Sequence, residues 1–211
     1  MNLVHLLPNF VTVVALCAGL TAVRFAIEGN FGLAVALIIA AAVMDGLDGR
    51  LARLLKSESD MGAELDSLCD LVNFGVAPAL ITYQWGVARI AEYGSVWGRL
   101  GWLATFFYAA CVAIRLARFN TKVDSADKRF FEGLPSPSGA GLVATMVWLG
   151  AAKGIDGHDV AYLVAFVTAA AGLLMVSSVR YQSFKEYHIG RVPVRALLGV
   201  IIAFAIIVLD P

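Results

Sequence analysis

The sequence predicts an all-α protein whose helices cross a membrane several times. Of its 211 residues, 60% are hydrophobic and only 15% are charged, and the mean hydropathy is +0.79. Soluble domains average about 45–50% apolar and about 25% charged residues, so this composition excludes a soluble fold. Apolar runs of about 20 residues, the length that spans a bilayer as a helix, recur along the chain. We therefore expect a single membrane domain over residues 1–211.

Seven apolar segments are candidate membrane helices, and turn-forming residues separate them. Glu28-Gly29-Asn30 follows the first segment, and Gly154-Ile155-Asp156-Gly157 follows the fifth. Glycine and asparagine favour turns because they adopt backbone conformations that other residues avoid. Pro78 is expected to kink the third segment and to free backbone groups that line a cavity. The seventh segment is barely long enough to span, so a surface helix is its alternative. The predicted spans are 10–28, 32–55, 63–85, 101–119, 136–153, 159–178 and 193–209.

Basic residues are distributed unevenly between the two sides of the predicted bundle. With the N-terminus inside, twelve lysines and arginines fall on the inner side, and four, Arg24, Arg89, Arg99 and Lys153, fall on the outer side. This bias predicts a multi-pass protein integral to the cytoplasmic (inner) membrane. The Met1 end lacks a basic region and a small-residue cleavage site, so no cleavable signal peptide is expected. The formal net charge of zero gives no reason to expect a nucleic-acid partner.

Four aspartates stand in and beside the second and third apolar segments. They occur in Asp45-Gly46-Leu47-Asp48-Gly49-Arg50-Leu51-Ala52-Arg53 and, after eight residues, in Gly62-Ala63-Glu64-Leu65-Asp66-Ser67-Leu68-Cys69-Asp70. A carboxylate at membrane depth costs roughly 2.5–3.5 kcal/mol on insertion scales, so four together need compensation. Residues three or four positions apart share a helix face. If the two helices pack antiparallel, all four carboxylates face one cavity on the cytoplasmic side.

This carboxylate set predicts a divalent-cation site. Oxygen ligands in this number suit Mg²⁺, Mn²⁺ or Ca²⁺ rather than zinc, which prefers nitrogen and sulfur. Two such ions held by carboxylates recur in phosphoryl chemistry, where a carboxylate at the edge can accept a proton from the attacking hydroxyl. The alternative is that aspartates cap helices and face solvent. We prefer that alternative for Glu58, Asp60 and Glu64, but not for the four aspartates.

The two aspartate segments resemble the signature of the CDP-alcohol phosphotransferase family, D-x-x-D-G-x-x-A-R-x(8)-G-x-x-x-D-x-x-x-D. The chain meets every fixed position, with Asp45, Asp48, Gly49, Ala52, Arg53, Gly62, Asp66 and Asp70. The resemblance implies a six-helix membrane core, here with about one extra transmembrane helix, that is often a homodimer. It also implies that a second alcohol displaces CMP from a CDP-alcohol.

The same resemblance implies roles for the signature residues. Two divalent ions, Mg²⁺ or Mn²⁺, are expected at Asp45, Asp48 and Asp66. Asp70 is the expected catalytic base and a further metal ligand. The remaining four positions, Gly49, Ala52, Arg53 and Gly62, are expected to line the CDP site.

Within this family, the flanking sequence resembles the integral-membrane phosphatidylserine synthases. The resemblance rests on blocks at 7–12, 70–78, 115–120, 131–137 and 175–185. It implies CDP-diacylglycerol and L-serine as substrates, in a lipid bilayer. The signature itself is shared with sister enzymes that use glycerol 3-phosphate or inositol phosphate, and an ether-lipid version of the serine reaction is a further alternative.

Five residues in these blocks are candidates for substrate contacts. Asn9 and Thr12 either start a helix or also contact the diphosphate. Arg115 and Arg118, three residues apart at the inner end of a span, are within reach of one anion, and we expect them to bind the acceptor serine. The alternative is that they snorkel to the interface as topological signals. Lys185 is a further acceptor-binding candidate, with a solvated loop cation as its alternative.

An ion-coupled transporter is the alternative from another functional class. Intramembrane acids bind cations or relay protons in transporters. The chain lacks obvious inverted halves, however, and its acids cluster at one end of one helix pair. The sequence therefore favours an enzyme.

Overall fold

The computed structural model describes residues 3–55, 57, 59–121, 130–177 and 180–182. A π-helical segment, Leu71–Val76, joins the third and fourth α-helices, and a 3₁₀-helix, Val87–Tyr93, follows the fourth. Two three-residue strands, β1 (Phe130–Glu132) and β2 (Arg180–Gln182), pair antiparallel. The α-helices of this part are α1 (Leu3–Ile27), α2 (Phe31–Leu54), α3 (Asp60–Asp70), α4 (Ala77–Trp85), α5 (Ser95–Thr121), α6 (Ser136–Ala152) and α7 (Ala161–Val176).

The helical membrane architecture predicted from the sequence is confirmed. Among the described residues, four helical stretches are long and apolar enough to cross a membrane: Leu7–Ile27, Phe31–Leu54, Asp60–Trp85 and Ser95–Thr121. Helices α6 and α7 lie where the fifth and sixth spans were predicted, but they have only 17 and 16 residues. The helices of the first and fourth predicted spans, α1 and α5, begin upstream of the predicted positions 10 and 101. The predicted span 193–209 lies outside the described residues.

Small residues let α1, α2 and α4 pack closely. Ala22 and Ala26 of α1 and Ala34 of α2 are at most 1% exposed in the core. Close packing matters in a bilayer because lipid tails are as apolar as the side chains, so burial alone does not drive helices together. Gly19 contributes to the same packing, since a Cβ at this position would overlap Asn73 Oδ1 in the π-helical segment.

A second core lies between α5 and the last two described helices. Tyr108 and Val112 of α5 are fully buried against Val143 of α6 and Ala171 of α7. Large apolar side chains on the outside of the bundle, such as Phe166 at 70% exposed, form the surface expected to face lipid. Small and β-branched side chains thus fill much of the space between the helices.

The π-helical segment Leu71–Val76 interrupts the third span just before Pro78, where the sequence predicted a kink. Proline lacks a backbone N–H and its ring crowds the preceding turn. That turn is π-helical, with the Ala77 N–H donating to the Val72 carbonyl. In an α-helix the N–H of residue 78 would bond to the Phe74 carbonyl, which here accepts a 2.9 Å hydrogen bond from the Tyr108 hydroxyl. The prediction that freed backbone groups line a cavity is therefore wrong for this carbonyl.

Candidate active site

The four aspartates lie on two helices whose ends are joined by a short connection. Asp45 and Asp48 are near the C-terminal end of α2, and Asp66 and Asp70 are in the second half of α3. The connection ends at Ser59, whose Oγ accepts a 3.1 Å hydrogen bond from the Gly62 N–H and caps α3. Such a cap satisfies a backbone donor that the helix leaves without a partner. The start of α3 is thereby set.

The structure brings the four carboxylates together. One oxygen each of Asp45, Asp48 and Asp66 lies within 4.8 Å of the other two. The Asp70 carboxyl is not one of these three, but it interacts with Asp45 at the edge of the trio. Asp48 is only 4% exposed, and the other three are half-buried. The faces predicted from the i,i+3 and i,i+4 spacing are therefore the faces whose carboxylates converge.

No basic side chain forms an ion pair with this cluster within the described part of the chain. From α1, the Thr12 hydroxyl donates a 2.7 Å hydrogen bond to Asp48 Oδ2. Buried charges are normally paired or bound to metal ions. An all-oxygen donor set of carboxylates fits Mg²⁺ or Mn²⁺, so the residues present suit the divalent ions that the signature implies.

Open space adjoins the cluster at Gly49. A Cβ at this position would meet nothing within 4 Å, although the residue is only half-exposed. Glycine inside a helix is about 1 kcal/mol less favourable than alanine. Helix stability therefore gives no reason for a glycine here, whereas room for a ligand does. The gap leaves room for a ligand next to Asp48. A Cβ at Gly62, by contrast, would lie 3.1 Å from Asn9 Oδ1, which brings Asn9 of α1 to the same end of the bundle.

The other two residues expected at the CDP site lie near the same end of α2. Ala52 is half-buried, one helical turn beyond Asp48. Arg53 is exposed in the last turn of the helix. Both residues therefore lie within about one and a half helical turns of Asp48. The exposed Arg53 side chain can reach a ligand anion from the solvent side.

The two arginines of α5 have different surroundings. Arg115 donates a 2.7 Å hydrogen bond from Nη1 to Ser136 Oγ, and its buried Nε has no hydrogen-bond partner. Arg118 donates from Nη1 to the carbonyl of Val176, at the C-terminal end of α7, at 3.0 Å. Arg115 also lies within electrostatic reach of Asp70. Arg115 therefore keeps an unused donor near the cluster, whereas Arg118 caps a helix. Lys185 lies outside the described residues.

Three polar residues near the site had no assigned role in the sequence. Ser136 is fully buried and accepts the Arg115 hydrogen bond. Asn120 Nδ2 donates to Ser67 Oγ at 2.9 Å and so links α5 to α3. Asn73 is 1% exposed, and its Oδ1 has no hydrogen-bond partner. All three fall in the flanking blocks, but the contacts of Ser136 and Asn120 are with other helices, and spacing gives no signal of them.

Comparison with known proteins gives a consistent result. The family model for CDP-alcohol phosphatidyltransferase matches residues 5–176. The chain is 40% identical to a CDP-diacylglycerol–serine O-phosphatidyltransferase of Mycobacterium tuberculosis over 98% of this chain and 72% of that protein. Enzymes of the same name from Helicobacter pylori and Bacillus subtilis are 38% and 32% identical, over 88% and 86% of this chain and 75% and 92% of their own lengths. With a family match over most of its length and carboxylates converging where the signature requires them, this multi-pass membrane protein belongs to the CDP-alcohol phosphatidyltransferase family.

Proposed function

We propose that this enzyme transfers a phosphatidyl group from CDP-diacylglycerol to the hydroxyl of L-serine, giving phosphatidylserine and CMP. The observation that carries the proposal is the convergence of four carboxylates from α2 and α3, without a basic partner among the described residues, beside the open space at Gly49. A diphosphate substrate bound through divalent ions needs such a site. The names of relatives at 37–40% identity support serine as the acceptor.

Asp45, Asp48 and Asp66, with Asp70 at the edge, would hold two divalent ions, Mg²⁺ or Mn²⁺. Bound ions would offset the charge of the diphosphate and of the departing CMP oxygen. The Thr12 hydroxyl orients Asp48 from α1. Asn9, Gly49, Ala52, Arg53 and Gly62 complete the proposed CDP site around these ligands.

Asp70 is the proposed base for the acceptor. It accepts the proton of the serine hydroxyl, whose oxygen attacks the phosphorus that carries diacylglycerol. The bond from this phosphorus to the CMP oxygen breaks, and CMP leaves. Asp70 suits this role because it lies at the edge of the metal-binding trio rather than among its three members. A base must lie within hydrogen-bonding distance of the proton that it takes.

The acceptor's carboxylate needs a cation. Arg115 supports this role best because its buried Nε is without a partner and it lies within electrostatic reach of Asp70. A guanidinium also has the planar donor geometry that matches a carboxylate. Arg118 and Lys185 are the other proposed acceptor-binding cations.

The proposed setting is the cytoplasmic membrane, with the active site facing the cytoplasm. The basic residues on the aspartate side of the bundle support this orientation. We also propose that residues 1–211 form one domain and that the enzyme is a homodimer, as the family resemblance implies. Native mass spectrometry of the protein released from detergent micelles tests the dimer by its mass.

The experiment that tests the proposed reaction is CMP release from CDP-diacylglycerol by the purified protein. L-serine, glycerol 3-phosphate and inositol phosphate are compared as acceptors, each with Mn²⁺, with Mg²⁺ and with excess chelator. We expect release that requires both serine and a divalent ion. Release with another acceptor would move the enzyme to a sister activity, and no release with any acceptor would favour the transporter alternative.

Two variants of α3 test the base in the same assay. Asp70→Asn removes the proton acceptor while keeping the shape of the side chain, so CMP release should be lost. Glu64→Gln makes the same chemical change at an exposed position of the same helix and should leave release intact. Equal activity of Asp70→Asn and Glu64→Gln would contradict the role of Asp70.

A further inference from the structure

The π-helical segment Leu71–Val76 begins directly after Asp70. A π-helical turn accommodates one more residue than an α-helical turn would, and such turns occur often at functional sites. In an α-helix each residue turns the chain by about 100° and advances it by about 1.5 Å. The π turn therefore sets the rotation of α3 relative to α4. The carboxylates of Asp66 and Asp70 depend on this rotation to face α2.

Helix α4 is the fixed partner in this arrangement. Ala77, Ala79 and Ile81 are at most 2% exposed and lie in the packed interior. Most residues of α3, by contrast, are exposed or half-exposed, and Cys69 is its one buried apolar side chain. If the π turn reverted to an α-helical turn, α3 would rotate rather than α4. A rotation of about 100° would turn Asp66 and Asp70 away from Asp45 and Asp48.

Helix α5 holds the π turn in place through two contacts. The fully buried Tyr108 hydroxyl donates a 2.9 Å hydrogen bond to the Phe74 carbonyl. One helical turn further on, Val112 packs against Gly75, where a Cβ would lie 3.2 Å from Val112 Cγ1. Because Pro78 has no N–H to offer to Phe74, the tyrosine supplies the donor that an α-helix would supply itself.

We propose that Tyr108 is a positioning residue for this active site: its hydrogen bond to Phe74 holds the π turn that aims Asp66 and Asp70 at Asp45 and Asp48. The catalytic role of these carboxylates rests on the proposed function. Their orientation by the π turn does not depend on it. Tyr108 does not touch the reacting groups. Its effect reaches them through the register of α3.

Tyr108→Phe tests this role because it removes the donor and keeps the ring. The matched control is Thr168→Val, which removes a buried hydroxyl that bonds only to the Val164 carbonyl within α7. Each purified variant is measured for Mn²⁺ binding by electron paramagnetic resonance, for kcat and serine KM, and for Tm. We expect Tyr108→Phe to weaken Mn²⁺ binding and to lower kcat, each by about tenfold, with serine KM unchanged. Wild-type Mn²⁺ binding and kcat in Tyr108→Phe would overturn the proposal.

A double variant, Tyr108→Phe with Pro78→Ala, separates positioning from simple stabilisation. An alanine in place of Pro78 supplies the N–H that bonds to Phe74 in an α-helix, so the double variant should recover the Tm lost in Tyr108→Phe. It should still bind Mn²⁺ weakly, because α3 then takes the α-helical register. Recovery of Mn²⁺ binding and kcat together with Tm would overturn the proposal. If wild-type protein binds Mn²⁺ but releases no CMP, the proposed function fails, while the Mn²⁺ comparison still decides the role of Tyr108.

Discussion

The hydrogen bond between Thr12 and Asp48 joins a side chain of α1 to the most buried carboxylate of the cluster. The donor–acceptor distance is 2.7 Å, and the two residues are 36 positions apart in the sequence. A hydroxyl that donates to a carboxylate fixes which oxygen is left for other ligands. Residues that orient metal ligands in this way contribute about 10–100-fold to metal affinity or activity in other proteins. We therefore expect Thr12 to act through Asp48 in the proposed site.

We predict that Thr12→Val weakens Mn²⁺ binding by about tenfold, because Asp48 loses its only hydrogen-bond donor from another helix among the described residues. Thr12→Ser keeps the hydroxyl and serves as the control, with binding expected within about twofold of wild type. Mn²⁺ titration followed by electron paramagnetic resonance gives both dissociation constants. Equal affinities in the two variants would contradict a role for the hydroxyl.

Gly49 and Gly46 form a natural pair of test positions on α2. A Cβ placed at either position would have no other residue within 4 Å, so alanine fits the protein at both. Alanine favours a helix by about 1 kcal/mol over glycine, so both variants should have a Tm equal to or above that of wild type. Only Gly49→Ala should raise the KM for CDP-diacylglycerol, because its methyl group enters the space beside Asp48. An unchanged KM in Gly49→Ala would remove Gly49 from the proposed CDP site.

Among the helices, the predicted bounds agree best with the observed ones where the apolar run is long. The long apolar run of the second span predicted α2 almost to its ends, since 32–55 was expected and Phe31–Leu54 is observed. The ribbon of β1 and β2 was missed, because strands of three residues are too short to show alternation. Pro78 signalled an interruption, but its π-helical form depends on Tyr108, which lies 34 residues beyond Phe74. Such contacts leave no local pattern.

Arg118 contacts the C-terminal end of α7. Its hydrogen bond to the Val176 carbonyl satisfies a C-terminal acceptor, and its positive charge favours that end of the helix dipole. We predict that Arg118→Gln lowers the Tm by several degrees, because the C-terminal end of α7 loses this contact. Arg115→Gln should instead raise serine KM by about tenfold, since a charge-assisted contact to the acceptor contributes about 1.5–3 kcal/mol. A similar rise of KM in both variants would place Arg118 at the acceptor as well.

Across the whole molecule, the polar groups of the proposed active site lie at one end of the bundle. The aspartates, Asn9, Thr12 and the two arginines of α5 all belong to this end, whereas Lys153 and the turn after it lie at the other. The sequence predicted the aspartate cluster because each pair is local on one helix, three or four residues apart. It did not predict Ser136 or Asn120 as partners, because those contacts link helices that are distant in sequence.

The proposed orientation predicts which end of the bundle an impermeant thiol reagent reaches. Cys69 and Cys111 are each 3% exposed, so Cys17→Ala alone should give a background without reactive thiols. In that background Lys153→Cys should react with a charged maleimide in intact spheroplasts, because Lys153 is exposed at the proposed outer end. Asp60→Cys, exposed at the aspartate end, should react only after the membrane is permeabilised. The opposite labelling pattern would place the active site outside the cytoplasm, where CDP-linked substrates made inside the cell would not reach the aspartates.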